Sequence, residues 1–424
     1  MKQTSLQGIA NKATQDKTYR FRNLFGMLTV GYLFWCWDFI NRKAMAGVDG
    51  IDAQAYEENL LPNIEQLVKQ VKENTYRAKL VLRKYIPKMD GTLRPLGIPA
   101  IADKLLQRGV AKILEAIYEQ DFLICSYGYR PRIGALKAVE DLSSELRSGK
   151  YHSVVEADIK SFFTHINHDL LLEMLAQRID DKRFLNLIRK WLKAGIMETD
   201  GQVIHPVTET PQGGVVSPIL ANIYLHHVID EWFEETVRRH CIGQVYLCRY
   251  ADDFVCAFEN AKDAERFYKA LSQRLERFGL QPAEDKTRII EFSHCKVRVK
   301  TKFDFLGFEF RWGVNRWGKP VLKRRTSRDK LQASLAKFKE WFKKYSSLPK
   351  KFLFMKLNRK LQGYYNYYGV RGNYKSLNSF VYRAWQLLYK WLNRRSQRRS
   401  YNVKGFKGLV KDFGIAKPRI CHDF

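Results

Sequence analysis

Relative to its length, this chain is short of acid. Its 424 residues hold 44 Asp and Glu against 74 Lys and Arg, a formal net charge of +30 with a pI near 9.8. The deficit is steepest over residues 321–424, which carry 27 Lys and Arg and four acids (Asp329, Glu340, Asp412, Asp423), so +23 of the +30 lies in the last quarter. Solubility requires nothing of this size. The excess implies a polyanionic partner, with nucleic acid favoured over a membrane surface.

Paired cysteines and long apolar runs are missing as well. The seven Cys (36, 125, 241, 248, 256, 295 and 421) form no C-x-x-C pair and no secretory leader precedes them, so reduced thiols, a cytoplasmic location and no zinc site are expected. Cys248 and Cys256 read as strand packing. The one membrane-like run, residues 24–40, is 17 residues long, contains Asp38 and is followed by Arg42 and Lys43. It falls short of a span and reads as a buried amphipathic helix reaching about Lys43, so no membrane partner is expected. What is plentiful is core material, with 45% apolar and 13% aromatic residues, enough for two or three packed units.

The most informative stretch is VYLCRYADDFVCAF, residues 245–258. Its apolar and aromatic alternation predicts a hairpin with Ala251, Asp252 and Asp253 at the tip. Two adjacent acids repel each other there unless a cation sits between them and a third partner, and a divalent metal meets that need. The third carboxylate is found in SVVEADIKSFF, residues 153–163, a predicted strand with Asp158 near its end and Glu156 on the same face. Taken alone, Asp158 would serve equally well as a structural cap of the next helix.

Elsewhere residues 1–23 are polar and basic without apolar periodicity until residues 19–25, so the extreme N-terminus is expected to be loose. Helical spacing appears over 59–74 (Leu60, Ile64, Leu67, Val68, Val71) and 103–119. KLVLRKYIPK-MDG-TLRPLGIPA is a hairpin by its Asp90-Gly91 turn, with Lys88 before the tip and Arg94 after it, placed to close over a triphosphate or else to be ordinary exposed charges. In SYGYRPR, Tyr127, Tyr129, Arg130 and Arg132 interleave rings with cations, as a template strand would want. TPQGGVVSPILANIYL is a Gly-rich turn offering the Gln212 amide, then an apolar helix. After another amphipathic helix ended by Gly279, Lys286 opens a strand, and FDFLGFEF is a short strand pair. Beyond about Pro320 strands should stop and basic helices take over, with Trp341, Phe342, Phe352, Phe354, Trp385 and Trp391 packed inside. LQGYYNYYGV reads equally as a base-stacking cluster or as interhelical core. Arg394, Arg395, Arg398 and Arg399 read as RNA phosphate contacts.

Three carboxylates on neighbouring strands with cations on a fingertip hairpin suit two-metal nucleotidyl transfer. IPKMDGTLRPLGIPAIADKLLQ, SYGYRP, EADIKSFF, TPQGGVVSPILANIYL, RYADDFV and DKTRIIEFS, in that order, with LQGYYNYYGVRGNY and WLNRRSQRRSYN behind them, resemble the bacterial group II intron reverse transcriptase and maturase family over essentially the whole chain. The resemblance implies an α+β right-hand polymerase: N-terminal extension and helices (1–75), fingers and a βαββ-type antiparallel palm (76–315), a helical basic thumb or maturase domain (320–400), and a short basic tail (401–424). It implies an RNA-directed DNA polymerase with two Mg2+ ions, or Mn2+, on Asp158, Asp252 and Asp253. It further implies Lys88 and Arg94 on the triphosphate, Gln212 beside the incoming nucleotide, Lys286 near the pyrophosphate, and Phe163 as a gate against the ribose 2′ hydroxyl. Expected partners are RNA template, intron RNA, DNA primer and deoxynucleoside triphosphates, and a monomer within a ribonucleoprotein is compatible with these. The chain stops at Phe424, roughly thirty residues after WLNRRSQRRS, so target cleavage by a C-terminal endonuclease is not expected. Maturase for its own intron, freestanding enzyme in repair or phage defence, and RNA-binding splicing cofactor with secondary polymerase activity all fit. Phe163 disfavours an RNA-templated RNA polymerase.

Overall fold

The expected α+β class is what the chain adopts in a computed structural model, which describes residues 5–87, 91–205, 213–299, 301–394 and 400–424. In chain order its strands are β1 (Val81–Pro87), β2 (Leu93–Ile98), β3 (Ser153–Asp158), β4 (Ile196–Met197), β5 (Val203–Ile204), β6 (Val245–Tyr250), β7 (Asp253–Phe258), β8 (Arg288–Glu291), β9 (Lys302–Phe305), β10 (Phe308–Val314) and β11 (Pro320–Thr326). They form three sheets, ordered β2-β1-β4-β5, β6-β7-β3-β8 and β11-β10-β9. The first contains the predicted β1–β2 hairpin. The second is wholly antiparallel and carries the acids.

That second sheet is covered on both faces, and its side chains sort by the strand period of two. Val155, Ala157, Phe254, Cys256 and Phe258 join the large core built with the N-terminal helices and the helix Ile101–Tyr118. Val154, Val255, Ala257 and Cys248 join a second core with Phe303, Phe305, Phe308 and Phe310 from the third sheet. A strand buried on both sides holds a charge along its length only when that charge is paired, as Arg249 on β6 and Glu156 on β3 are. Acids without an ion-pair partner can therefore be held only where the strands end.

Three departures from expectation have local causes. The N-terminus is ordered as the helix Leu6–Gln15, because Ser5 caps it (Gly8 N to Ser5 Oγ, 3.0 Å) and Arg178 donates to the carbonyls of Ala13 and Asp16 at its end. Only Ile9 and Ala13 are buried from it, too sparse a pattern to register as periodicity. The apolar run after it yields a helix of just Val30–Trp37, leaving Phe34, Trp35 and Phe39 exposed. Strands continue past Pro320: β11 pairs with β10 along its whole length, turning Arg324 inward while Arg325 binds the buried Glu309 at 2.7 Å. The short basic tail carries the helix Val403–Phe413, packed by Phe406, Leu409 and Val410, and a single isolated bridge joins Val370 to His422.

The helices Arg328–Tyr345, Lys350–Tyr368 and Tyr374–Leu392 share a third core around Phe342, Phe354, Leu361, Tyr365 and Phe380. Phe342 and Phe354 are buried as expected, but Phe352 is 52% exposed. The LQGYYNYYGV cluster is core: Tyr364 stacks on Phe380, Tyr365 donates to the Ala416 carbonyl, and Tyr367 to the Leu306 carbonyl.

Candidate active site

β3 and β7 are registered so that Asp158 stands directly opposite Asp253. Asp252 sits in the β6–β7 turn beyond them, next to Ala251, whose φ of 56° is left-handed. Like charges opposed across an antiparallel pair destabilise it. The cost is visible in Asp253, which burial first and then Asp158 and Asp252 push up to about 8, and in Asp252, raised by burial and by Asp158. Lys286 compensates one of the three, its Nζ lying 2.5 Å from Asp158 Oδ2, and that hydrogen bond raises the ammonium's own pKa. Asp252 and Asp253 have no ion-pair partner among the described residues. Glu156, on the Asp158 face, is taken by Arg288 at 2.8 Å.

Three hard oxygen donors against one ammonium leave the cluster anionic, the donor chemistry that suits Mg2+. As the side chains stand, no group of three His, Cys, Asp or Glu among the described residues is close enough to hold an ion. A cation would have to draw Asp158 away from Lys286.

What holds the turn in place went unread in the sequence. Arg249, fully buried on β6, makes a bidentate pair with the equally buried Asp230 (2.6 Å to each oxygen). Nη2 of that pair also donates to Ser126 Oγ, and Nη1 donates to Asn222 Oδ1 and to the carbonyl of Ala251. Burial alone would raise Asp230, but Arg249 holds it below its ordinary value. Burial likewise opposes charge on His226, yet Asp230 and Glu231 hold it up at about 9. Gly128 lies against the turn so closely that a Cβ would come within 2.4 Å of Ala251 N, and its carbonyl accepts from Asn222. The only sequence signal for this network was an Arg placed between apolar strand residues.

This geometry corrects two expectations. Tyr127 is 5% exposed in the second core, its hydroxyl donating to Asp141, so neither face of the ring is open to a base. Arg130 is tied to Glu119 and to the carbonyls of Leu123 and Ser126. The SYGYRP loop is a strut: residue 126 bridges Arg249, and Tyr127 N donates to its carbonyl at 2.9 Å. Tyr129 is the exception, 47% exposed with φ 58°, its hydroxyl raised by burial and by the nearby Asp252.

Arg94 is exposed on β2 opposite Ile86, and its charge acts on both Asp252 and Tyr129. Phe163 follows the left-handed Ser161 in the turn Phe162–Thr164, 8% exposed, its ring edge-on to Phe162 at 5.3 Å. Gly213 (φ 117°) lies against the β1–β2 hairpin, where a Cβ would meet the Gly97 carbonyl at 2.4 Å, and Val215 N donates to the buried Gln107 of the helix Ile101–Tyr118. Arg394 is exposed at the end of the helix Tyr374–Leu392, near the Trp391 ring. Lys88, Gln212, Arg395, Arg398 and Arg399 lie outside the described residues.

Known proteins agree with this layout. Residues 86–310 match the family described as "Reverse transcriptase (RNA-dependent DNA polymerase)". The chain is 34% identical over 247 residues to Protein YkfC of Escherichia coli (strain K12), covering 51% of this chain and 64% of that protein. It is 29% identical over 403 residues to "Group II intron-encoded protein LtrA" of Lactococcus lactis subsp. cremoris, covering 75% of this chain and 65% of that protein. A third relative, "Uncharacterized 91 kDa protein in cob intron" of Schizosaccharomyces pombe, is 39% identical over 171 residues, 40% of this chain and 21% of its own length. The chain thus spans just under two thirds of the length of the first two. With the match covering more than half of it, the chain belongs to the reverse transcriptase family, among the group II intron reverse transcriptases and maturases.

Proposed function

We propose that the protein is an RNA-directed DNA polymerase that also binds and assists the splicing of a group II intron RNA and supports its mobility. The observation that carries the polymerase reading is the register that sets Asp158 against Asp253 with Asp252 at the turn above them. Two Mg2+ ions, or Mn2+, held by these three carboxylates would activate a primer 3′ hydroxyl and steady the leaving pyrophosphate. Arg94, from the fingers hairpin, orients the triphosphate of the incoming deoxynucleotide, with Lys88 and Gln212 as its expected companions. Lys286, released from Asp158, sits where the pyrophosphate leaves. Phe163 excludes a 2′ hydroxyl. RNA template, DNA primer and intron RNA are the macromolecular partners, and no described helix is long and apolar enough to cross a membrane.

The test is primer extension on an RNA template with deoxy- and ribonucleotides in parallel. Asp252→Asn and Asp158→Asn should abolish extension and leave RNA binding almost unchanged, while Phe163→Ala should admit ribonucleotides far more readily. Near-normal extension by either Asn variant removes the metal assignment, and unchanged sugar discrimination moves the gate elsewhere. An RNA-binding cofactor without polymerase function would need none of the three acids.

A further inference from the structure

The helix Tyr374–Leu392 turns Leu377, Phe380, Ala384 and Leu388 into the third core. Beside that stripe, Tyr374, Asn378, Tyr382 and Trp385 follow one another at helical spacing along one wall of a cleft of about 570 Å³, whose other wall is the returning segment 415–418. Tyr374 is 52% and Tyr382 63% exposed, uncommon for rings in a folded chain. The buried Trp385 Nε1 has no hydrogen-bond partner among the described residues. Lys375 and Lys417 stand at the rim. Neither this helix nor segment 415–418 contains a single Asp or Glu. Rings without acid, flanked by cations, are what a strand of unpaired nucleotides recognises, bases stacking on the rings and phosphates meeting the ammonium groups.

We propose that this cleft binds a short single-stranded segment of RNA. The inference rests on the reading of the C-terminal region as an RNA-binding surface and assigns it a site. Tyr374 and Tyr382 are eight residues apart, ~12 Å along the helix axis, a separation that accommodates about three stacked bases. A duplex, whose bases are already stacked and covered, gains nothing from the rings.

Fluorescence anisotropy on the full chain, across a salt series, tests this with a labelled 12-nucleotide oligo(A) RNA and a 12-base-pair RNA duplex. In Y374A/Y382A the single-strand affinity should fall ~10- to 100-fold, with the log-log salt slope unchanged because the cations that meet the phosphates are all still present. Y374F/Y382F should retain binding, which separates stacking from loss of fold, and duplex binding should not move. K375A/K417A should do the reverse, flattening the slope by ~0.7 per cation. Equal losses on both RNAs, or none, overturn the cleft as a single-strand site. If the tyrosine substitutions instead weaken binding of an acidic peptide and spare oligo(A), the occupant is a protein and the proposal fails. A wild-type chain that binds neither RNA overturns the RNA-binding reading beneath it, whereas wild-type binding indifferent to the tyrosines overturns the cleft alone.

Discussion

Around the Asp-bearing hairpin the neighbouring charges are paired, Arg249 with Asp230, Asp158 with Lys286 and Glu156 with Arg288, and among the described residues only the hairpin's own Asp252 and Asp253 are left over. In the helices Lys350–Tyr368 and Tyr374–Leu392, eight Lys and Arg occur with no acid between them, and their cations face outward while the helices are held by apolar and aromatic core. The contrast follows from what each region meets. A site that must hold carboxylates against their own repulsion needs an internal scaffold of opposite charge, fixed before any ligand arrives. A surface that meets a polyanion needs its cations free, since each phosphate it neutralises releases counterions. Mutations should therefore act through geometry in the first region and through salt dependence in the second.

The largest effect should come from breaking the internal scaffold. Arg249→Gln leaves Asp230 buried without its guanidinium and releases the Ala251 carbonyl, and losing one partner of a buried pair costs about 3–5 kcal/mol. Extension should drop at least about a hundredfold although every metal ligand and every phosphate-binding cation is still in place, and RNA affinity at low salt should stay within about twofold. Chemical denaturation and filter binding on the same preparation measure both. A variant that polymerises normally would mean the turn does not depend on Arg249.

Next in size is the C-terminal charge. Neutralising Arg394, Arg395, Arg398 and Arg399 together should flatten the log-log salt slope for intron RNA by roughly 0.7 to 0.9 for each phosphate that no longer meets an arginine. Extension on a short, saturating primer and template should survive better than splicing assistance. A slope equal to that of the wild type would show these arginines to be a solvated face only.

How much of this was legible in the sequence differs between the same two regions. The hairpin acids and Asp158 were readable because charge interrupts an apolar strand pattern, and the helix spacing of Leu105, Leu106, Val110, Ile113, Leu114 and Ile117 survives intact in a buried face. The register that opposes Asp158 to Asp253 was not readable, since it is fixed across 95 positions of sequence by cores on both sheet faces. Tyr127 and Arg130 were misread because rings interleaved with cations look the same in sequence whether they turn outward to nucleic acid or inward to a strut. The KRR of β11 reads as basic helix until Glu309 is seen to be buried beside it. Boundaries failed where a single cap decides them, as at Ser5 and Asp38.

The smallest effect tests whether the acidic site stores repulsion at all. Asp253 has a folded-state pKa of about 8 against an ordinary 3.8. Between roughly pH 4 and 8 the folded chain therefore keeps a proton that the unfolded chain has released, so this group's contribution to stability falls as pH rises through that window and is at its worst above about 8. Asp253→Asn is close in shape and carries no charge, so it removes the penalty without opening a cavity. In chelator, the variant should melt higher than wild type at pH 8.5, by about 1 °C for each kcal/mol relieved in a chain of this length, and the gap should close near pH 4.5, where the wild-type carboxyl is already neutral. Added Mg2+ should narrow or reverse the difference at pH 8.5, because the wild type offers the cation one more ionised ligand than the variant. Differential scanning calorimetry at the two pH values, with and without Mg2+, reads all four cases. If the metal-free variant melts no higher than wild type at pH 8.5, Asp253 is not strained by its neighbours, and the opposed carboxylates are not the poised cation site that the register suggests.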